Sequence, residues 1–266
     1  MLRQADEKDR ATVLDYLRAE PEFNLFIIGD ILTYGMRSEE MEVFIESRRG
    51  LIDATLMRFR NNFIPYTRDD DADLGAIAGR INTRLATPGT RFVSGKRKVV
   101  ERVQPLLQHK PAQANDPFFS VCRELKAEVP LGALPLVREA GGNDADGIAT
   151  LWDDTFGKQE RLKLRDDIER GMTRVTIVRA PESGAIVSAA AAVAESDAAA
   201  MIIGVATHPA HRGKGYATAC VYRLVDDLRA RGKSACLFFH NPAAGTIYHR
   251  LGFADIGFWK MLKFER

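Results

Sequence analysis

Arg212, Gly213, Lys214 and Gly215 place two cations and two glycines at one junction of the chain. The apolar run Met201–Thr207 before them reads as a buried strand, and His208-Pro209 stops it, since proline lacks the N–H that a central strand donates. From Tyr216 the spacing changes. Ala217, Cys220, Val221, Leu224, Val225 and Leu228 follow the i, i+3, i+4, i+7 rule of an amphipathic helix, and Gly232 stands where a C-terminal cap belongs. Strand, glycine turn and helix start together form a recipe for holding phosphate. The first N–H groups of a helix lack internal partners, and the helix dipole adds partial positive charge there. Gly213 and Gly215 accept positive φ and let a ligand approach the backbone. The spacing fits neither Gly-x4-Gly-Lys-Ser/Thr nor Gly-x-Gly-x-x-Gly; the pattern present is Arg212-x-x-Gly215-x-Ala217.

Further along come a second strand, Ser234–Phe239, then Asn241, a short helix carrying Tyr248, and Arg250-Leu251-Gly252-Phe253. Asn-x6-Tyr-x3-Gly-Phe following Arg-x-x-Gly-x-Ala resembles the acyl-CoA site of GNAT-type N-acetyltransferases. The close resemblance covers residues 200–255 and a looser one reaches back to 135. It implies an acetyl-CoA-dependent N-acyltransferase acting on a primary amine of a small molecule or peptide. In that reading Arg212, Gly213, Lys214, Gly215, Tyr216 and Ala217 hold the pyrophosphate. The backbone of Val205, Ala206 and Thr207 pairs with the pantetheine arm, which Asn241 also contacts, and an N–H near Val205 donates to the thioester oxygen. Tyr248 is the candidate general acid, because a phenol near pKa ~10 suits a thiolate leaving group; its alternative role is ring packing. The base stays unassigned. No Asp or Glu lies between Ala198 and Ala210, leaving Glu195, Asp197 and His240 as candidates, with His208 and His211 flanking the loop. The alternative function is a non-catalytic acyl-CoA-binding or interaction protein.

The elements that must position this site come in two similar series. Leu2–Ala5 reads as a strand, Asp6–Glu20 and Glu22–Tyr34 as helices, and 41–46 and 51–59 as strands, with Pro65 marking an edge. Asp69-Asp70-Asp71-Ala72-Asp73 reads as capping and solvated charge at the start of a helix over 74–85, in preference to a cation site. Lys126–Pro135 reads as a linker. Pro135–Ala140, a helix from Asp144 with Ile148, Leu151, Trp152 and Thr155 at helical spacing, a helix over 159–170 and a hairpin through Pro181–Gly184 then repeat the opening. The alanines of 189–192 and 198–200 are read as a hairpin about Glu195-Ser196-Asp197. The expected fold is α+β: two GNAT-like units, each a mixed, largely antiparallel sheet flanked by helices. Their expected limits are 1–127 and 135–266, with a linker over 128–134. In the first unit only Ser94-Gly95 resembles a phosphate turn, so that unit is expected not to bind the nucleotide.

Composition sets outer limits. A net charge of +2 on 266 residues gives no footprint for nucleic acid, and Lys96-Arg97-Lys98 reads as solvated surface. The apolar run Leu25–Leu32 is too short to span a bilayer, and the N-terminus lacks a signal-peptide core. Three cysteines in apolar patterns, without metal-ligand spacing, fit a reducing compartment, so no metal and a cytoplasmic location are expected. Oligomeric state is not readable.

Overall fold

In a computed structural model the described residues are 1–126, 132–158 and 163–265. They form two compact units. Unit 1 comprises Met1–Phe119 and Ile256–Arg266, and unit 2 comprises Ser120–Asp255.

Unit 1 runs β1 (Leu2–Gln4), α1 (Arg10–Leu17), α2 (Leu25–Tyr34), β2 (Met41–Arg48), β3 (Leu51–Phe59), β4 (Asn62–Tyr66), α3 (Gly75–Leu85), β5 (Arg91–Lys96), α4 (Arg97–Val103) and β6 (Gln113–Asn115). β7 (Phe118–Cys122) leads into unit 2. There follow β8 (Arg138–Glu139), α5 (Ala145–Phe156), α6 (Leu164–Glu169), β9 (Arg174–Arg179), β10 (Ile186–Val193), β11 (Ala199–Thr207), α7 (Tyr216–Ala230), β12 (Ser234–Phe239) and α8 (Pro242–Leu251), and then β13 (Ala254–Phe264). The order strand, two helices, three strands, helix, strand, helix therefore occurs twice, as the repeated sequence pattern implied. Each unit is a mixed, largely antiparallel sheet flanked by helices.

In unit 2 the sheet order is β12-β11-β10-β9-β8. In this order β11 and β12 run parallel, as a helical crossover requires, and β10 is antiparallel to both β11 and β9. On one side Ile148, Leu151 and Trp152 of α5 pack against Val175, Ile177, Ala189, Ala191 and Ala206. The alanine-rich stretch is indeed two strands, and Ala189, Ala190, Ala191, Ala199 and Ala200 are fully buried. Small side chains there let both helical layers approach the sheet.

Several expectations change. The C-terminal limit of the second unit is displaced, because Trp259–Phe264 pair antiparallel with Lys96–Arg91 of β5 and so belong to unit 1. Of the expected linker, 128–131 lie outside the described residues, as do 159–162 of the expected helix over 159–170. Pro65 is on an interior strand, between β3 and β5. It is tolerated because registered pairing with β5 covers only Asn62 and Phe63, so Pro65 stands past the end of that ladder. Ser94 and Gly95 lie inside β5 and form no turn. The unit 1 counterpart of the turn before α7 is the one before α3, residues 67–74, which carries four aspartates. There Asp69 accepts from the Asp71 N–H, Asp73 accepts from the Gly75 N–H, and Arg102 ties the carbonyls of Asp69 and Ala72.

Candidate active site

The strand before the turn is less regular than its composition implies. Between Ala191↔Ile203 and Ala189↔Ala206, β10 advances two residues and β11 three, which is a β-bulge at Gly204-Val205. Gly204 has φ +61°, open to glycine at little cost. Registered pairing of β11 with β12 runs from Ala199↔Ser234 to Ile202↔Leu237 and stops there. Past this point Ile203 is exposed and Gly204 and Val205 are half-buried, where an unbroken buried strand was expected. The two parallel strands thus part at the bulge, and the backbone of Val205–Thr207 lies on the opened stretch. Within it the Ala206 carbonyl accepts from Ser188 Oγ at 2.9 Å and the Thr207 carbonyl from Arg212 Nε at 3.2 Å.

The turn itself has the expected form. Gly213 and Gly215 take φ of +76° and +77°, and a Cβ built at either meets no protein atom within 4 Å. Gly215 is the N-cap of α7 and offers no side-chain cap, and the first helical bond runs from the Ala219 N–H to the Gly215 carbonyl. The N–H groups of Tyr216, Ala217 and Thr218 are left for an external acceptor. Arg212 and Lys214 are exposed; among the described residues, neither the Nη nitrogens of Arg212 nor Nζ of Lys214 pairs with a carboxylate. Donors, dipole and two free cations converge on a space kept clear by glycine, which fits a pyrophosphate.

α8 begins at Asn241, whose Oδ1 accepts from the Ala243 N–H at 2.9 Å. That bond takes one lone pair of the oxygen and fixes the side chain in the cap, with its Nδ2 donors available to a ligand. Gly245 permits α8 to sit on Phe239, since a Cβ there would be 2.5 Å from the ring. That contact sets Tyr248, whose ring lies 5.9 Å from Phe239 and 5.8 Å from Phe253. Among the described residues the Tyr248 hydroxyl has no hydrogen-bond partner. Burial alone raises its pKa above the usual 10, so the phenol holds its proton across the physiological range.

Of the base candidates, Glu195 is fully occupied. It accepts from Lys233 at 2.6 Å, Arg174 at 2.8 Å and Arg231 at 2.9 Å. Burial raises its pKa, but the Lys233 hydrogen bond and the three positive charges outweigh that and hold the carboxylate below its ordinary value. It is a tether for the β10–β11 turn and a poor proton acceptor. His240 is exposed at the end of β12. His208 and His211 lie 5.8 Å apart and line a cleft of about 440 Å³ with Thr150, Asp154, Arg179 and Ile186.

Sequence reasoning overlooked the bulge and what holds it. Trp152 Nε1 donates to the Gly204 carbonyl at 2.6 Å, and the indole packs where a Cβ on residue 204 would be. The available signal was an isolated glycine inside a strand pattern. Among the described residues there is no cluster able to hold a metal ion and no helix long and apolar enough to cross a membrane.

Residues 145–253 match the model of the acetyltransferase (GNAT) family. No curated protein matches the chain. Solved structures with a similar fold include a Drosophila protein (TM-score 0.72, 12% identity, 99% of this chain and 98% of that one). A GCN5-related N-acetyltransferase from Sphaerobacter thermophilus aligns with a TM-score of 0.64 at 14% identity, over 99% and 94% of the two chains. A tandem GNAT protein from the clavulanic acid biosynthesis pathway aligns with a TM-score of 0.63 at 12% identity, over 99% and 97%. At such identities the likeness is one of fold, and it extends over both units. Residues 145–253 thus carry the match to the acetyltransferase (GNAT) family, and the fold of the chain is shared with a tandem GNAT protein.

Proposed function

We propose that unit 2 is an acetyl-CoA-dependent N-acyltransferase that acetylates a primary amine of a small molecule or peptide. The observation that carries this reading is the turn Arg212–Gly215, with its two left-handed glycines, its helix start without a side-chain cap and its two cations, which meet no carboxylate among the described residues. Acetyl-CoA supplies an acyl group activated as a thioester. The chain's own residues do the rest. Gly213, Gly215 and the N–H groups of Tyr216 and Ala217 receive the pyrophosphate, with Arg212 and Lys214 as counter-charges. The stretch Val205–Thr207 and the Nδ2 of Asn241 hold the pantetheine arm. The Val205 N–H donates toward the carbonyl oxygen as negative charge develops on it, an effect worth a few kcal/mol in a dry site. Tyr248 keeps its proton for the departing thiolate. Glu195 is excluded as base by its three partners, and the acceptor amine loses its proton to water or to a group on the acceptor side.

Thiol release from acetyl-CoA, measured over a panel of primary amines and N-terminal peptides, tests the assignment. Turnover with any amine class supports it. Tight acetyl-CoA binding with no turnover across the panel would replace it with the second reading, a non-catalytic acyl-CoA-binding protein, which the missing carboxylate on β11 favours.

A further inference from the structure

We propose that Trp152 is a positioning residue that aims the Val205 N–H at the acyl group, an inference that rests on the acyltransferase reading of unit 2. A regular strand keeps its carbonyls in the plane of the sheet, directed at neighbouring strands. The Gly204 carbonyl instead accepts from the Trp152 indole, and Trp152 belongs to α5, which packs on one face of the sheet. That carbonyl is therefore turned out of the sheet, toward α5. The peptide bond between Gly204 and Val205 is planar and trans, so its N–H points opposite to its C=O. Fixing the carbonyl toward α5 fixes the Val205 N–H away from α5, at the level where β11 and β12 have ceased to pair.

The surroundings leave this peptide little choice. Trp152 is 5% exposed within the α5 core cluster, so the indole cannot swing aside without opening that core. The ring occupies the place of a side chain at residue 204, its Cε2 and Cζ2 each 2.6 Å from a built Cβ. Glycine at 204, the bulge and the tryptophan act as one device. Glycine admits the ring and the positive φ, the extra residue frees the peptide from the ladder, and the indole N–H sets its direction.

The test compares the full wild-type chain with Trp152→Phe and with a chain carrying benzothienylalanine at 152, which keeps the bicyclic shape and replaces the N–H by sulfur. Both variants should bind acetyl-CoA within about threefold of wild type by calorimetry, because the pyrophosphate turn is untouched. Their kcat should fall at least tenfold with KM for acetyl-CoA nearly unchanged, since an interaction strengthened only in the transition state is being misaimed. In ¹⁵N-labelled protein, a ketone analogue of acetyl-CoA that cannot transfer its acyl group should shift the Val205 amide resonance strongly in wild type and weakly in both variants. Unchanged kcat in a folded benzothienylalanine protein, or an equal Val205 shift in all three proteins, would overturn the assignment. The resonance needs bound analogue but no turnover, so it decides the role of Trp152 even where the protein binds acyl-CoA without transferring its acyl group.

Discussion

Replacing Tyr248 by phenylalanine removes one oxygen from α8. The stability cost follows from the ring's surroundings. The two aromatic contacts, at 5.9 and 5.8 Å, belong to the ring and survive, and the hydroxyl gives up no hydrogen bond within the described residues. Leaving a phenol without a partner is itself unfavourable when partly buried, so the variant should lie within about 1 kcal/mol of wild type. Acetyl-CoA affinity should hold, because Arg212–Ala217 and Asn241 are unaltered. Turnover should not. Loss of a general acid costs about 10²-fold or more, and 10² corresponds to about 2.7 kcal/mol of transition-state free energy. kcat and kcat/KM should fall together, as for a group used only in the transition state. The pH profile adds a second constraint. Burial raises the phenol pKa above its usual 10, so a falling limb centred below pH 10 would not belong to Tyr248. The assay is steady-state thiol release from about pH 7 to 10 with a chosen amine, after single-turnover measurements establish that chemistry limits the rate. Near-normal kcat in a folded Tyr248→Phe protein would remove the tyrosine from the mechanism and leave solvent as proton donor.

Gly215→Val places a β-branched side chain at φ +77°, a strain on the order of 1–3 kcal/mol, and projects it into space that no protein atom fills. Acetyl-CoA affinity by calorimetry should drop by at least about tenfold, with the helical circular dichroism of α7 retained; wild-type affinity would discredit the phosphate turn. Each chain should bind a single acetyl-CoA, because unit 1 presents Asp69, Asp70, Asp71 and Asp73 where unit 2 presents Arg212 and Lys214. A stoichiometry of two would contradict this. Asp30 gives a pH-dependent stability. Burial lifts its carboxyl to about 7 against the opposing charge of Arg60, so between about pH 4 and 7 the folded state holds the extra proton and stability falls as pH rises. Asp30→Asn should remove that decline and be the more stable protein at pH 8, by at most about 4 kcal/mol. Urea midpoints that fall equally with pH in both proteins would refute it.

The parts of this fold that were legible are those where one local signal decides. A glycine pair flanked by cations, an apolar run before it and a 3.6-residue period after it specify strand, turn and α7 without outside help. The alanine hairpin was legible only through its turn residues, because alanine's own preference is helical and burial in the sheet overrode it. The unread features depend on partners distant in sequence. Nothing near Gly204 announces that Trp152, 52 residues earlier, takes the space of its missing side chain. Nothing near Ser94 shows that it pairs with Met261 and is therefore strand. Pro65 misled because a proline marks the end of a hydrogen-bond ladder, and a ladder can end inside a sheet. The capping role of Asn241 was legible too, since an asparagine ahead of proline and a short helix is a capping signature, and it stands beside the ligand contact that the family resemblance implies.

The pairing of β13 with β5 has a consequence for biosynthesis. Residues 256–264 leave the ribosome after every residue of unit 2, yet they complete the sheet of unit 1. Until they arrive, β5 offers an uncovered edge, and Leu262 and Phe264 are missing from the core beneath it. The unit that is translated first is therefore the last to have all of its strands available. A stop codon placed just before residue 256 would leave the residues of unit 2 intact and strike instead at the N-terminal unit.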